Sequence, residues 1–421
     1  MRHSIDWLDD APNSAPEERA TVADLRLFLG EQNVTTHMLG TKVDDHVTVS
    51  LYGLANGIAH DWWSILGARD REFSLRHYRT GYLLPDIRIR FDGAAFEVSA
   101  LQCAYTNPEL RFWGGMTELL TRVQGEAWLA SLVSDILDRL ASQKIGDTSV
   151  ALRWRRIEAS RNSDERSFCE AAGSLGLDPY QLPDDAARFI EASEEIFGNG
   201  EPLVEFVAGS ALVDSARLLE WVAHKRSDRE ARHRLADLHA LAEKIIETVP
   251  TRAKEPAWAM GYRLARAARN ALNLDQQYCF DSFASLACRL GAATSYTVSG
   301  TVDGISALRC ERTDGTHLYI RDHSGSNHAE PTHLFALARA IGDAICFPID
   351  QSSAVNHVRY AYRQSAGRAF AAEFLAPIDE VMSMRDDDHD VYSIADRFGV
   401  SPFVIERQIE NRERIADACR R

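Results

Sequence analysis

Three Asp-Gly dipeptides constrain this chain more than any other feature. They stand at positions 92–93, 303–304 and 314–315, each beside runs that alternate apolar and polar residues. Asp-Gly supplies the backbone angles that a two-residue hairpin loop requires, because Gly accepts a positive φ without a Cβ clash. The clearest case is Ile87-Arg-Ile-Arg-Phe91, Asp92-Gly93, Ala94-Ala-Phe-Glu-Val98. Its two alternating runs predict adjacent antiparallel strands. Between such segments lie long stretches of helical periodicity, so the expected class is α+β.

The rest of the chain divides by breakers and changes of period. Residues 1–40 are polar and carry Ala11-Pro-Asn-Ser-Ala-Pro16, which reads as a loose lead-in. Residues 41–147 read as a compact α+β domain. It contains a strand over Val47–Tyr52, a helix with Ile58, Trp62, Trp63 and Ile65, the hairpin, and a helix over 117–141. Residues 148–250 are almost wholly helical, broken by Gly173, Gly176, Pro179, Pro183 and Gly198-Asn-Gly-Glu-Pro202. After a boundary at Pro250–Pro256 come two helices, Tyr262–Leu272 and Phe280–Leu290. Three short strands follow, over Thr294–Val302, Ile305–Glu311 and Thr316–Arg321. Helices over about 330–346, 359–375 and 391–416 finish the chain, so that 251–385 and 386–421 read as a domain and a helical tail.

Composition narrows the function classes. Hydrophobic residues make up 45% and charged residues 26%, as in ordinary globular proteins. No apolar run reaches the roughly 18 residues of a membrane helix. A formal charge of −15 repels nucleic acid and anionic membrane on average. The seven cysteines are odd in number and none forms C-x-x-C, which argues against a disulfide framework and a cysteine zinc site. A cytoplasmic protein with reduced thiols is the expectation.

Several blocks carry a family resemblance. Phe335-Ala-Leu-Ala-Arg-Ala-Ile-Gly-Asp343 stands where an ImmA/IrrE-type metallopeptidase reads F-x-L-A-H-E-x-G-H. Arg368-Ala-Phe-Ala-Ala-Glu-Phe-Leu-Ala-Pro377 resembles that family's N-x-F-A-A-E-L-L-x-P block. Ile394-Ala-Asp-Arg-Phe-Gly-Val-Ser-Pro402 resembles its L-A-x-R-F-G-V-S-P tail. Phe168–Tyr180 and Trp258–Tyr262 resemble segments upstream in longer members, so the resemblance covers about 150–421. It implies a zincin-like C-terminal domain with a small sheet and a helical tail. Residues 1–147 resemble no family.

In such a site, HExxH places two imidazoles on one helix face to grip Zn²⁺, and the Glu between them serves as general base. A third ligand, a Glu, comes from the next helix. Here the two histidines are replaced by Arg339 and Asp343, and the base by Ala340. The third ligand should fall at Ala366, Ser365 or Gln364, none of which is a carboxylate. Glu373 stands about two turns too far along. Arg339 and Asp343, four residues apart, predict an ion pair across the old metal gap. The expectation is no catalytic residue, no bound metal and no cofactor.

An alternative metal site, with zinc as the metal, would draw on His328, Glu330, His333 or His357. The run His328-Ala-Glu-Pro-Thr-His333 looks like a shifted HExxH, but its histidines are five apart and Pro331 belongs to a helix start. His317 and His323 lie nearby in sequence. Ile394–Ile409 has helix-turn-helix character, yet Glu406 and Glu410 offset Arg407 where a DNA reader needs a basic helix. DNA is therefore not the expected partner.

The N-terminal domain concentrates aromatics and arginines: Tyr52, Trp62, Trp63, Tyr78, Tyr82, Phe112 and Trp113 beside Arg69, Arg71, Arg76, Arg79, Arg88 and Arg90. If exposed, Trp62, Trp63, Arg88, Arg90 and Trp113 would form a protein-partner surface, since Trp and Arg dominate interface hot spots. Gly53, Gly57, Gly114 and Gly115 have no phosphate-binding spacing. The function expected is a non-catalytic regulatory or scaffold protein that binds a protein partner. The resemblance adds a bacterial phage, stress-response or toxin–antitoxin setting. The alternative is an active metallopeptidase that uses the relocated histidines to cleave a repressor-like protein.

Overall fold

The computed structural model describes residues 1–9, 15–102, 109–228, 231–250, 255–300, 302–323, 325, 328–348 and 352–420, with side chains omitted at 213 and 413–420. Most of the Ala11–Pro16 stretch, the 251–254 part of the second boundary, Cys103 and Thr301 lie outside the described residues. The chain forms two compact units, 1–187 and 188–421, each mixed α+β with small antiparallel sheets.

The first unit begins with β1 (Arg2–Trp7), α1 (Pro16–Ala20) and β2 (Val22–Leu29). β2 pairs with β1, with β3 (Gln32–Asn33) and with β6 (Val47–Ser50). This corrects the expected lead-in over residues 1–40. Ala23, Leu25, Leu27 and Leu29 of β2 are wholly buried and belong to the main core of the unit. The polar edge strand β1 covers one flank of β2, and its alternating half-buried residues hid it from a reading based on apolar content.

A second sheet runs β10 (Leu110–Phe112), β4 (His37–Leu39), β5 (Lys42–Asp44). A third runs β11 (Met116–Thr121), β9 (Ala95–Leu101), β8 (Asp86–Phe91), β7 (Phe73–Ser74). The β8–β9 hairpin forms as expected, but its tip is Gly93-Ala94 and not Asp92-Gly93, since Asp92 N–H already bonds the Ala95 carbonyl across it (3.2 Å). Phe91 opposes Phe96, and the Asp92 side chain accepts from the N–H groups of Ala94 and Ala95. The helix expected over 117–141 starts later. Residues 116–121 pair along β9, with Leu119 exposed and Leu120 buried, and only then does α3 (Arg122–Ser142) begin. Thr121 caps that helix in a reciprocal capping box with Gln124, which fixes the switch from strand to helix.

α2 (Tyr52–Gly67), α4 (Ser149–Arg161) and α5 (Arg166–Ser174) complete the first unit. Trp154 and Ile157 of α4 and Cys169 of α5 share its core with Trp62 and Trp63 of α2. The first two-fifths of the expected helical domain therefore packs in the first unit.

In the second unit, α6 (Asp184–Phe197), which straddles the boundary, is followed by α7 (Glu201–Ala208), α8 (Ser215–Ser227), β12 (Arg234–Leu235), α9 (Leu238–Thr248), α10 (Ala257–Ala271) and α11 (Phe283–Arg289). Next come β13 (Ile305–Arg312), β14 (Gly315–Ile320), α12 (Ala329–Cys346), β15 (Ser353–Asn356) and α13 (Tyr362–Leu375). The sheet order is β12-β14-β13-β15, antiparallel throughout. The turn that joins β13 to β14 falls at Thr313-Asp314, one residue before the expected Asp314-Gly315, and Gly315 is already paired with Arg312 at φ +124°. The strand expected over 294–302 does not form among the described residues. Isolated bonds tie that segment to the sheet edge: Ser299 N–H donates to the Ile320 carbonyl (2.8 Å), Asp322 N–H to Gly300 (2.9 Å) and the Tyr296 hydroxyl to the Leu318 carbonyl (3.0 Å). Gly300 at φ +74° interrupts the extended run, so Asp303-Gly304 closes no hairpin.

The last stretch is two helices, as the helix-turn-helix character of Ile394–Ile409 implied. α14 (Ile378–Asp386) precedes α15 (Val391–Phe398), and Gly399 at φ +62° stops α15 before α16 (Pro402–Arg420). The core of this unit joins α12, α13, α10 and the tail through Leu337, Ile341, Phe370, Phe374, Ile394 and Ile405.

Candidate functional site

α12 is pinned by Leu334, Leu337, Ala338, Ile341 and Ile345, all buried. That apolar stripe leaves Arg339 and Asp343 on a shared flank, and both are buried too (4% and 3% exposed). They do not pair with each other, which corrects the expected clasp. Asp343 instead receives Arg363 of α13, whose Nε and Nη2 take its two oxygens in a fork (Nη2 to Oδ2 2.7 Å). Ser353 Oγ donates to Oδ2 at 2.7 Å, and Arg309 Nη1 of β13 lies 3.2 Å from the same oxygen. Burial alone would raise the Asp343 pKa. Arg363 and Arg309, with the hydrogen bonds from Arg363 and Ser353, outweigh it and hold the carboxyl below its ordinary range.

Arg339 takes different partners. Its Nη2 donates to the Asn356 carbonyl (2.5 Å) and to Gln364 Oε1 (3.0 Å). Burial pushes its pKa down to about 9, with Arg368 adding to the effect and Asp343 and Glu205 opposing it. The guanidinium therefore stays charged at neutral pH.

Gln364 is the hub. Its Oε1 accepts from Asn356 N–H (2.9 Å) and from Arg339. Its Nε2 donates to Glu205 Oε2 of α7 (2.9 Å) and to the Ala354 carbonyl (3.0 Å). Asn356 Nδ2 also donates to the Glu205 carbonyl at 2.6 Å, and Gly209 leaves the room that Asn356 fills. Three guanidiniums (Arg309, Arg339, Arg363) thus face three carboxylates (Glu205, Asp343 and Glu311, the last 3.2 Å from Arg309).

The donor set does not fit zinc. The two oxygens of Asp343 accept three hydrogen bonds and face a further guanidinium, which occupies the lone pairs a metal would need. An arginine does not give up its proton to ligate, and Ala340 and Ala366 offer no heteroatom. Glu373 is turned to other work: buried, it receives Arg266 Nε (2.6 Å) and the Ile378 N–H (3.0 Å).

The alternative histidines do not converge either. His333 Nε2 accepts the His323 backbone N–H at 2.8 Å, so that nitrogen is not open to a metal. His357 Nε2 bonds Ser306 Oγ at 3.0 Å, His317 faces Asp314, and His328 sits exposed before the first turn of α12. Glu330 accepts from the Phe283 N–H (2.8 Å) instead of facing a ligand set. Among the described residues, no group of three or more His, Cys, Asp or Glu is arranged to hold a metal ion.

The expected partner surface in the first unit is largely interior. Trp62 and Trp63 are 1% and 3% exposed. Trp62 packs edge-on against Trp154, and Trp63 Nε1 donates to Tyr180 Oη (3.0 Å). Both are large apolar residues on the core face of α2, and sequence alone did not say which face that was. Arg90 pairs with Glu97, and Arg88 with Asp86 and Glu72. Both arginines stay partly exposed, and Trp113 is 53% exposed.

Sequence reading missed Arg309, Arg363 and Glu205. Arg309 carried one signal: it is a lone charge inside the β-run Ile305–Cys310, which is buried on both faces. Arg363 and Glu205 carried none, because they reach the cluster from segments far apart in the chain. No helix among the described residues is long and apolar enough to cross a membrane. No model of a known protein family, no curated protein and no solved structure matches this chain.

Proposed function

We propose that residues 188–421 form a zincin-like scaffold of the ImmA/IrrE type that has exchanged its metal centre for a buried ion network and binds a protein partner without hydrolysing it. The reading is regulatory: the scaffold presents a shaped surface, and the network keeps it rigid. One observation carries the proposal. The positions that would supply two ligands and the base hold Arg339, Asp343 and Ala340, and the third ligand would fall at Ala366, Ser365 or Gln364. The polar ones are committed to internal hydrogen bonds, with Gln364 serving four partners. A buried network rigidifies its surroundings to the extent that its polar atoms are paired; the Gln364 amide meets that condition, while the Nε of Arg339 lies buried without a hydrogen-bond partner among the described residues.

The test is elemental analysis of the purified full chain, together with a protease assay against repressor-like proteins with and without chelator. Sub-stoichiometric zinc and no chelator-sensitive cleavage are expected, with capture of a defined protein partner that the Gln364→Ala variant weakens. One zinc per chain, or cleavage abolished by chelator, would overturn the reading.

A further inference from the structure

The first unit holds a pocket unrelated to the ion network. It is a partly open cavity of about 750 Å³, within the roughly 300–1,000 Å³ of small-molecule sites, lined by Glu72, Arg76, His77, Arg79, Asp86 and Arg88 among others. Three arginines face two carboxylates, a positive balance inside a chain of net charge −15. Both carboxylates are already engaged. Arg88 Nη1 donates to Glu72 (2.8 Å) and Nη2 to Asp86 (3.1 Å), and Ser74 Oγ donates to the other Asp86 oxygen (2.8 Å). Arg79, also on the wall, makes no ion pair among the described residues.

The rim adds backbone donors. Arg79 has right-handed helical angles (φ −71°, ψ −10°), while Thr80 and Gly81 follow at φ +44° and +91°. That succession turns consecutive N–H groups to one side, the arrangement that cradles anions. A β-branched residue at positive φ is strained, and such strain persists only where surrounding structure enforces it. Here α2 enforces it. A Cβ on Gly53 would stand 2.8 Å from the Tyr78 carbonyl and 2.5 Å from the Thr80 methyl, and one on Gly57 would stand 2.1 Å from the Tyr78 ring. One turn further on, Asp61 accepts the Tyr78 hydroxyl (2.5 Å). The segment 75–81 is therefore bedded on α2 before any ligand arrives.

We infer that this pocket binds a small molecule bearing a phosphate monoester, gripped by the Arg79 and Arg76 guanidiniums and the 79–81 backbone. Guanidinium forks match phosphate oxygens in geometry and charge. A volume of about 750 Å³ suits a small ligand. The inference concerns residues 72–88 only and stands apart from the scaffold reading of the second unit.

The experiment is calorimetric titration of the full chain with adenosine monophosphate, ribose 5-phosphate, inorganic phosphate, adenosine and a phosphothreonine peptide. Saturable binding of adenosine monophosphate or ribose 5-phosphate, weakening as salt rises, is expected, with none for adenosine. Arg79→Ala should weaken it roughly tenfold, the scale of a lost hydrogen bond to a charged group, while Arg90→Ala leaves it unchanged. Should Arg79→Ala fail to fold, Arg79→Gln removes the charge with less lost packing. The inference falls if neither adenosine monophosphate nor ribose 5-phosphate binds up to about 5 mM. It also falls if binding survives loss of the Arg79 charge, or if only inorganic phosphate or the peptide binds.

Discussion

Asp343 is surrounded by more positive charge than it can neutralise alone, and its removal should be costly for that reason. Asp343→Ala would leave Arg363 and Arg309 buried (5% and 0% exposed) and facing a hole. Orphaned buried charge costs about 3–5 kcal/mol, to be read as a lower denaturation midpoint in urea at pH 7. The pH dependence follows from the direction of the shift. The folded carboxyl lies below its ordinary value of 3.8, so the folded state binds fewer protons than the unfolded one near that value. Its stabilisation is complete above pH 3.8 and is lost as pH falls through the folded value. Asp343→Asn should flatten that acid limb while lowering stability at neutral pH. An unchanged acid limb in the variant would show that other carboxylates control it. Sequence could point to Arg339, Asp343 and Gln364, because block spacing places them where ligands would stand. It paired them wrongly. Helical spacing records only neighbours on one helix, whereas the fork from Arg363 and the approach of Arg309 depend on how α13 and β13 dock.

At the scale of elements, α2 shows how one helix sets two environments. Its core face carries Trp62 and Trp63, and another face carries Gly53, Gly57 and Asp61 against Tyr78 and Thr80. Ala at an exposed helical Gly is normally worth up to about 1 kcal/mol of stability. Gly57→Ala should do the reverse. Its Cβ would meet three Tyr78 ring atoms at 2.1–2.7 Å, so overpacking of about 1–3 kcal/mol outweighs propensity. Thermal unfolding should show a lower midpoint, and a stabilised variant would mean that Tyr78 swings away freely. Hairpins were the most legible elements, because alternation acts locally at 87–98 and 305–320, although each turn centre lies one residue away from its Asp-Gly pair. β1 and β11 were the least legible. Each draws its strand character from the neighbour it pairs with, β2 or β9, and not from its own composition.

At the scale of the whole chain, the boundary falls near residue 187 and not at the Gly146–Ser149 joint. Helical period marks an apolar face but does not say which core that face meets. α4 and α5 read as the start of a helical domain, yet Val150, Trp154, Ile157 and Cys169 lie in the core of the first unit. A fragment of residues 1–183 keeps all of these, whereas a fragment of 1–147 strips them from α2. It exposes Trp62, which is 1% exposed in the intact chain and packs 5.1 Å from Trp154. Fully burying one large apolar side chain is worth about 1.5–3 kcal/mol. Losing several approaches the entire stability of a domain, about 5–15 kcal/mol. The 1–183 fragment should unfold in one cooperative transition followed by Trp fluorescence. The 1–147 fragment should show a red-shifted emission and no sharp transition. Equal cooperativity in the two would place the boundary back at the glycine joint and make α4 and α5 an appendage of the first core.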